Sequence, residues 1–174
     1  MIPMHNNELD ACVAKLQQTL RRWRERDVGG HAAIRRLRPG ETGSPTLWRL
    51  LLSCGIDPPD DQAVHWALIA WALAMLEGPS STHLGAALQR AELSPLRLER
   101  LLRADVAQLP DCLQAAVRQL VAKGVAADGY HVAALVLRDP DSEGGERIRR
   151  QIARHYYSRI RVDSEVSNPD EVKS

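Results

Sequence analysis

The stretch Ala63-Val64-His65-Trp66-Ala67-Leu68-Ile69-Ala70-Trp71-Ala72-Leu73-Ala74-Met75-Leu76 decides how the rest of the chain is read. It is apolar at every position but His65, and its alanine and leucine content favours helix. A membrane span needs roughly 20 such residues. A shorter helix that is apolar on nearly all sides belongs at the centre of a folded body. Asp60 and Asp61 stand at what would be the positive end of its dipole, and Gly78 follows its last turn. The pattern predicts a central helix over about 60–77, with Trp48, Trp66 and Trp71 knitting the first half together and His65 as a core histidine.

Outward from this helix, helix punctuation is frequent and strand punctuation is nearly missing. Leu9, Val13, Leu16, Leu20 and Trp23 recur at three- and four-residue spacing, which predicts a helix from Glu8 to Arg26 capped by Asn7 and broken at Gly29 and Gly30. A short basic helix, Ala32 to Leu37, stops at Pro39 and Gly40. Ser44 and Pro45 cap the next helix, and Gly55 ends it. Beyond the centre, helices are expected over about 82–92, 95–103 behind Ser94, 111–123 before Gly124, 130–138 behind Asp128, and 146–161 after a glycine-rich link. No stretch alternates apolar and polar residues for long enough to demand a strand. The expected fold is all-α, a compact bundle of about eight to nine helices in two small packed lobes, 1–78 and 79–162. An acidic, aperiodic tail, 163–174, is expected to be disordered.

Charge is distributed unevenly along the 174 residues. The total is +1, yet the two lobes and the tail carry 0, +4 and −3, and 20 of the 23 basic residues are Arg. Arg presents a planar fork of donors that fits phosphate in pairs and stacks on bases, so an Arg-rich surface on a compact body points to a polyanion partner. Cys12, Cys54 and Cys112 are isolated and odd in number, which suits buried thiols in a reducing cytosol better than disulfides or a zinc site. The polar stretch Met1 to Leu9 is unlike a signal peptide. A cytoplasmic protein without membrane contact is expected.

Catalytic constellations are poor. The six histidines form no HExxH pair, and neither GxSxG nor GxxxxGK[ST] occurs. Asp60 and Asp61 cap a helix more credibly than they bind Mg²⁺. The expectation is a protein that is not an enzyme and has neither cofactor nor metal.

Binding patterns are richer. On a wheel of 100° per residue, Arg147, Arg150, Arg154 and Arg161 fall within about 60° of one another, opposite Ile148, Ile152, Tyr156 and Ile160. One stripe can pack while the other presents guanidiniums about one turn apart, a spacing that can follow phosphates. Tyr157 lies beside that row, placed to stack on a base. Arg35, Arg36 and Arg38 close the short basic helix, whereas Arg21, Arg22, Arg24 and Arg26 are interleaved with acids and read as a solvated face. Residues 84–103, with Arg97, Arg100 and Arg103 on the second helix, also resemble a helix-turn-helix. That pattern sets up an alternative: a transcription regulator reading duplex DNA.

An ordered series of motifs between about residues 20 and 160 resembles the small subunit, CasB, of the type I-E CRISPR surveillance complex Cascade. Ala32-Ala33-Ile34-Arg35-Arg36-Leu37 is similar to that family's early Arg-Ala-x-Leu-Arg-Arg-type segment, with His31 where Arg is common. Arg97 to Leu102, then Val117-Arg118-Gln119-Leu120-Val121 and Lys123-Gly124, resemble its middle helices, and Ala127-Asp128-Gly129-Tyr130 stands where a Leu-Asp-Trp turn is usual. Arg149-Arg150-Gln151-Ile152-Ala153-Arg154-His155-Tyr156-Tyr157 resembles its ending, with Ile152 for Trp and His155 for Asp.

The resemblance implies a non-catalytic, two-lobed helical protein, usually present as two copies beside the other Cascade subunits. It also implies support for the guide RNA and target DNA hybrid, and a hold on the displaced single strand of the R-loop in antiviral defence. Carried over by position, Arg35, Arg36, Arg118, Lys123, Arg149, Arg150 and Arg154 become backbone contacts. Arg147 and Arg161 join them from the wheel alone. A further reading makes the Arg surface a docking face for larger protein subunits.

Overall fold

The computed structural model describes residues 5–166, with side chains through Ser158. The helices are α1 (Asn6–Arg26), α2 (Val28–Arg35), α3 (Pro45–Ser53), α4 (Asp60–Met75), α5 (Leu84–Arg90), α6 (Pro95–Arg103), α7 (Leu109–Ala122), α8 (Gly129–Leu137) and α9 (Glu143–Val166). No strand occurs among the described residues, so the fold is all-α.

Helix α4 is the axis of the packing. Nine consecutive residues, Trp66–Ala74, are buried, because α1, α2, α7 and α8 surround it. Trp66 and Trp71 lie in the core, while Trp48 is half-buried and its indole N–H donates to the Thr42 carbonyl at 2.8 Å. Helix α8, from the second half of the sequence, packs on α1 and α4 as well as on α9. Buried residues of both halves consequently form one continuous core. His65 is half-buried rather than enclosed, in a cleft between α4, the start of α7 and the end of α8. Cys54 is buried, Cys12 and Cys112 are half-buried, and all three are free thiols.

Gly29 and Gly30 do not break the first helix. The break is the single residue Asp27, whose non-helical backbone (φ −136°, ψ 65°) ends α1 and whose carboxylate accepts from the Gly30 N–H at 2.9 Å to cap α2. The glycines are the second and third residues of α2, where a cap outweighs their low helix propensity. The first helix is capped by His5, not by Asn7. The last begins at Glu143 rather than Glu146, because Ser142 Oγ accepts from Gly145 N at 3.0 Å. It continues through Val166. The rest of the tail, 167–174, lies outside the described residues, as does any test of its disorder.

Helix α9 is seated on α5, where Gly85 faces the Ile152 backbone. Tyr156 fastens the same seam from the side, its hydroxyl donating to the Leu93 carbonyl at 2.5 Å. Three imidazoles close its edge. His83, the N-cap of α5, stacks on His155 of α9 with ring centroids 3.7 Å apart and lies 3.9 Å from His131 of α8. His83 Nδ1 accepts from Gly85 N at 3.1 Å, and its buried Nε2 has no partner. Asp128 hydrogen-bonds His131.

Two measurements probe this seam. A Cβ at residue 85 would fall inside contact distance of the Ile152 carbonyl, so Gly85→Ala should lower unfolding stability by about 1–3 kcal/mol in urea titrations. Gly29→Ala, with nothing within 4 Å of its Cβ, should be neutral or stabilising by up to about 1 kcal/mol. Burial first, then His131 and His155, pushes the His83 pKa down to about 4 against the opposing pull of Asp128. The folded chain therefore resists protonation that the unfolded chain accepts near 6.5. Stability should be full above pH 6.5 and fall as pH drops towards 4, and His83→Asn, which can still cap α5, should flatten that slope in a Tm-against-pH series.

Candidate nucleic-acid interface

The orientation of α9 is set by its apolar stripe. Ile148, Ile152 and Tyr156 are buried, so the opposite face must look outward at 100° per residue. Arg147, Arg150 and Arg154 are exposed on it, and none makes an ion pair within 4.0 Å among the described residues. Glu143 and Glu146 stand one turn before Arg147 and Arg150 without closing on them. Tyr157 is 49% exposed beside the row, its ring held edge-on to Tyr156 at 5.0 Å. The arrangement can grip phosphate through forked guanidiniums and offer one aromatic face to a base. The side chain of Arg161 lies outside those described.

Arg149 is placed differently from its neighbours. It is only 9% exposed, its Nε donates to the Leu102 carbonyl at 3.0 Å, and a terminal nitrogen donates to Gly145 O at 3.4 Å. Burial pushes its pKa down, with Asp141 and Asp139 opposing. The guanidinium thus caps the carbonyl end of α6, where a positive charge meets the negative end of a helix dipole. In this structure Arg149 is a strut between α9 and α6 and is withdrawn from the surface. The helical wheel carried the signal, since residue 149 falls at about 200° from Arg147, among the isoleucines.

The remaining carried-over cations divide into two kinds. Arg36 and Arg118 are exposed with only local hydrogen bonds, to the Ala32 carbonyl at 3.1 Å and to Gln114 at 3.3 Å. Arg35 and Lys123 already face carboxylates: Arg35 lies 3.6 Å from Glu77, and Lys123 pairs with Glu92. Arg24, read from sequence as part of a solvated face, turns to the same Glu77 at 3.8 Å. Local sequence held no sign of this, because Glu77 comes from the far end of α4. These residues, with His31 and Arg36, line an open hollow of about 500 Å³. Burial first, then Arg35, pushes the His31 pKa down.

Helices α5 and α6 follow one another across the short turn 91–94. Ser94 Oγ caps α6 by accepting from Arg97 N at 3.4 Å, Leu98 and Leu101 are buried, and Arg97, Arg100 and Arg103 face solvent. Arg103 is paired with Glu99 at 3.2 Å. No group of three metal-ligating side chains occurs among the described residues, and no helix there is long and apolar enough to cross a membrane.

The contrast between adjacent arginines can be measured. Arg149→Ala should lower unfolding stability by about 2–3 kcal/mol, the scale of charged hydrogen bonds lost from a buried position. Arg150→Ala should stay within about 0.5 kcal/mol of the native chain. Paired urea titrations of the two variants would check both.

Residues 30–157 match the family of CRISPR-associated protein Cse2. No curated protein and no solved structure matches the chain. The matched span runs from α2 to the Arg row of α9 and takes in both halves of the core. Its all-α fold is the one the resemblance to CasB implies. The chain belongs to the Cse2 family and is a subunit of a CRISPR Cascade complex.

Proposed function

We propose that this chain acts in Cascade as a non-catalytic clamp on nucleic-acid backbone. It would steady the guide RNA and target DNA hybrid and the displaced strand of the R-loop in antiviral defence. The observation that carries this reading is the exposed row Arg147, Arg150 and Arg154, without an ion pair among the described residues, on a helix whose other stripe is locked into the core. Arg36 and Arg118 extend the set of exposed arginines, and Tyr157 supplies a stacking face. Phosphate contacts of this kind position a strand but read no sequence. Sequence is left to base pairing within the complex. Two copies per complex would lengthen the basic track.

Membership in a CRISPR-associated family weighs against the duplex-reading regulator, although α5 and α6 are joined by a short turn capped by Ser94. A regulator should favour its operator by roughly 10³-fold or more over random duplex. A backbone clamp should show little preference.

Three phosphates neutralised by the α9 row should give log K against log salt a slope near −2 on single strands, at about 0.7 per contact. Reversing charge with Arg150→Glu and Arg154→Glu should flatten that slope and shorten R-loop lifetime in the assembled complex, with the unfolding midpoint unchanged. A native slope near zero, or an R-loop indifferent to the double variant, would reject the clamp.

A further inference from the structure

Two residues other than glycine adopt the left-handed backbone among the described residues, and both are glutamates: Glu77 at φ 52° and Glu92 at φ 57°. Each directly follows the C-cap residue of a helix, Leu76 at the end of α4 and Ala91 at the end of α5. The position normally falls to glycine, which bears no Cβ penalty there. This chain obeys that rule twice. Gly55 (φ 74°) and Gly124 (φ 63°) close α3 and α7 with the same pair of hydrogen bonds that Glu92 and Leu93 make at the end of α5. A carboxylate at this end of a helix also meets the negative pole of the dipole. Glu77 and Glu92 are therefore unfavourable twice over, in backbone and in charge.

What the two carboxylates have in common is what they hold. Glu77 lies 3.8 Å from Arg24 and 3.6 Å from Arg35, too long for hydrogen bonds, so it sits between two guanidiniums without being locked to either. Glu92 receives Lys123, and this contact pulls the Glu92 pKa down. All five side chains are well exposed, from 38% for Arg35 to 72% for Glu92. An outlier conformation held at exposed charged groups calls for a functional account, since strain is retained where the surroundings or the task require it. Arg35 and Lys123 are also cations that the family resemblance carries over as backbone contacts.

We infer that Glu77 and Glu92 are resident counter-ions: each occupies a seat for a nucleic-acid phosphate, at Arg24 with Arg35 and at Lys123, and gives way when a phosphodiester chain arrives. The inference rests on the clamp reading above and adds to it a built-in restraint. In the free chain the seats are neutralised, which lowers affinity for stray RNA and DNA. In the complex a held strand supplies a succession of phosphates, each with two oxygens that can accept from a guanidinium fork. No covalent step is involved, only exchange of one anion for another.

The test uses the full chain with Glu77→Gly and Glu92→Gly together, and with Glu77→Gln and Glu92→Gln together. Glycine relieves the backbone, so the first variant should unfold at the same or a higher denaturant concentration. Glutamine removes the charge and keeps the strain. Both should bind labelled oligo(dT) and oligo(U) about 5-fold more tightly than the native chain at low salt, the scale of one exposed ion pair no longer broken on binding. A gain confined to one of the two probes assigns the seats to DNA or to RNA. Binding by the variants where the native chain binds nothing also supports the inference. Unchanged affinity, while Arg150→Glu with Arg154→Glu still weakens the native chain, overturns the counter-ions and leaves the clamp standing. No binding by any form overturns both.

Discussion

Helix α9 can bury Ile148, Ile152 and Tyr156 in only one rotational setting, and the other features of the interface follow from that constraint. A 24-residue helix free to turn about its axis would present its charges in any direction. Gly85 removes the side chain that would hold the two backbones apart, and the Tyr156 hydroxyl fixes the remaining freedom on the Leu93 carbonyl. Once the apolar stripe is docked, every residue about 180° from it must face solvent. Arg147, Arg150 and Arg154 are presented together for this reason, and Arg149 is buried for the same reason. Preorganisation of this kind lowers the side-chain and backbone ordering that binding would otherwise require.

Adjacent arginines in one motif thus carry unrelated duties. Two of the three nitrogens of Arg149 meet backbone carbonyls while its buried Nη2 has no partner, and a guanidinium wholly unpaired at that depth would be far more costly. Arg150, one residue on, remains in water with its charge available. The same sorting runs through the rest of the chain. Arg35 and Lys123 are matched by carboxylates from distant helices, whereas Arg36 and Arg118 find only local oxygens. A count of basic residues says nothing of this division. It depends on which acids the fold brings within reach.

The helices themselves were legible in the sequence because their signals are local. Ser44 with Pro45 and Ser94 with Pro95 mark starts through a cap and a preset φ, and α3 and α6 begin where they predict. Gly55 and Gly124 mark ends for an equally local reason. The unbroken apolar run of α4 gave its central position, since no other site hides all of its faces. The errors came where a residue's usual habit yields to a neighbour. Gly29 and Gly30 read as breakers until the Asp27 carboxylate is seen capping them, and Arg149 read as a phosphate contact although its wheel position lay among isoleucines. The pairing of Glu77 with Arg24 and Arg35 joins residues more than forty positions apart and had no local trace. Fold class is written in periodicity and punctuation, but the electrostatic state of a surface is written in tertiary contacts.

A near-zero net charge bears on how such an interface can work. Charges separated by more than about 8 Å are screened from one another at physiological salt, so in the proposed clamp the α9 row would act on a strand only at close range. With the −3 of residues 163–174 offsetting the +4 of residues 79–162, the chain has little long-range field to draw polyanions from solution. Assembly changes the arithmetic. In the proposed clamp a strand already held by other subunits would be presented to the row at high effective concentration, and contacts that capture a free oligonucleotide only weakly would then suffice to retain a tethered one. Weak, short-range and geometrically fixed contacts suit a subunit whose partner strand is delivered to it, because they add retention without competing for the rest of the cell's nucleic acid.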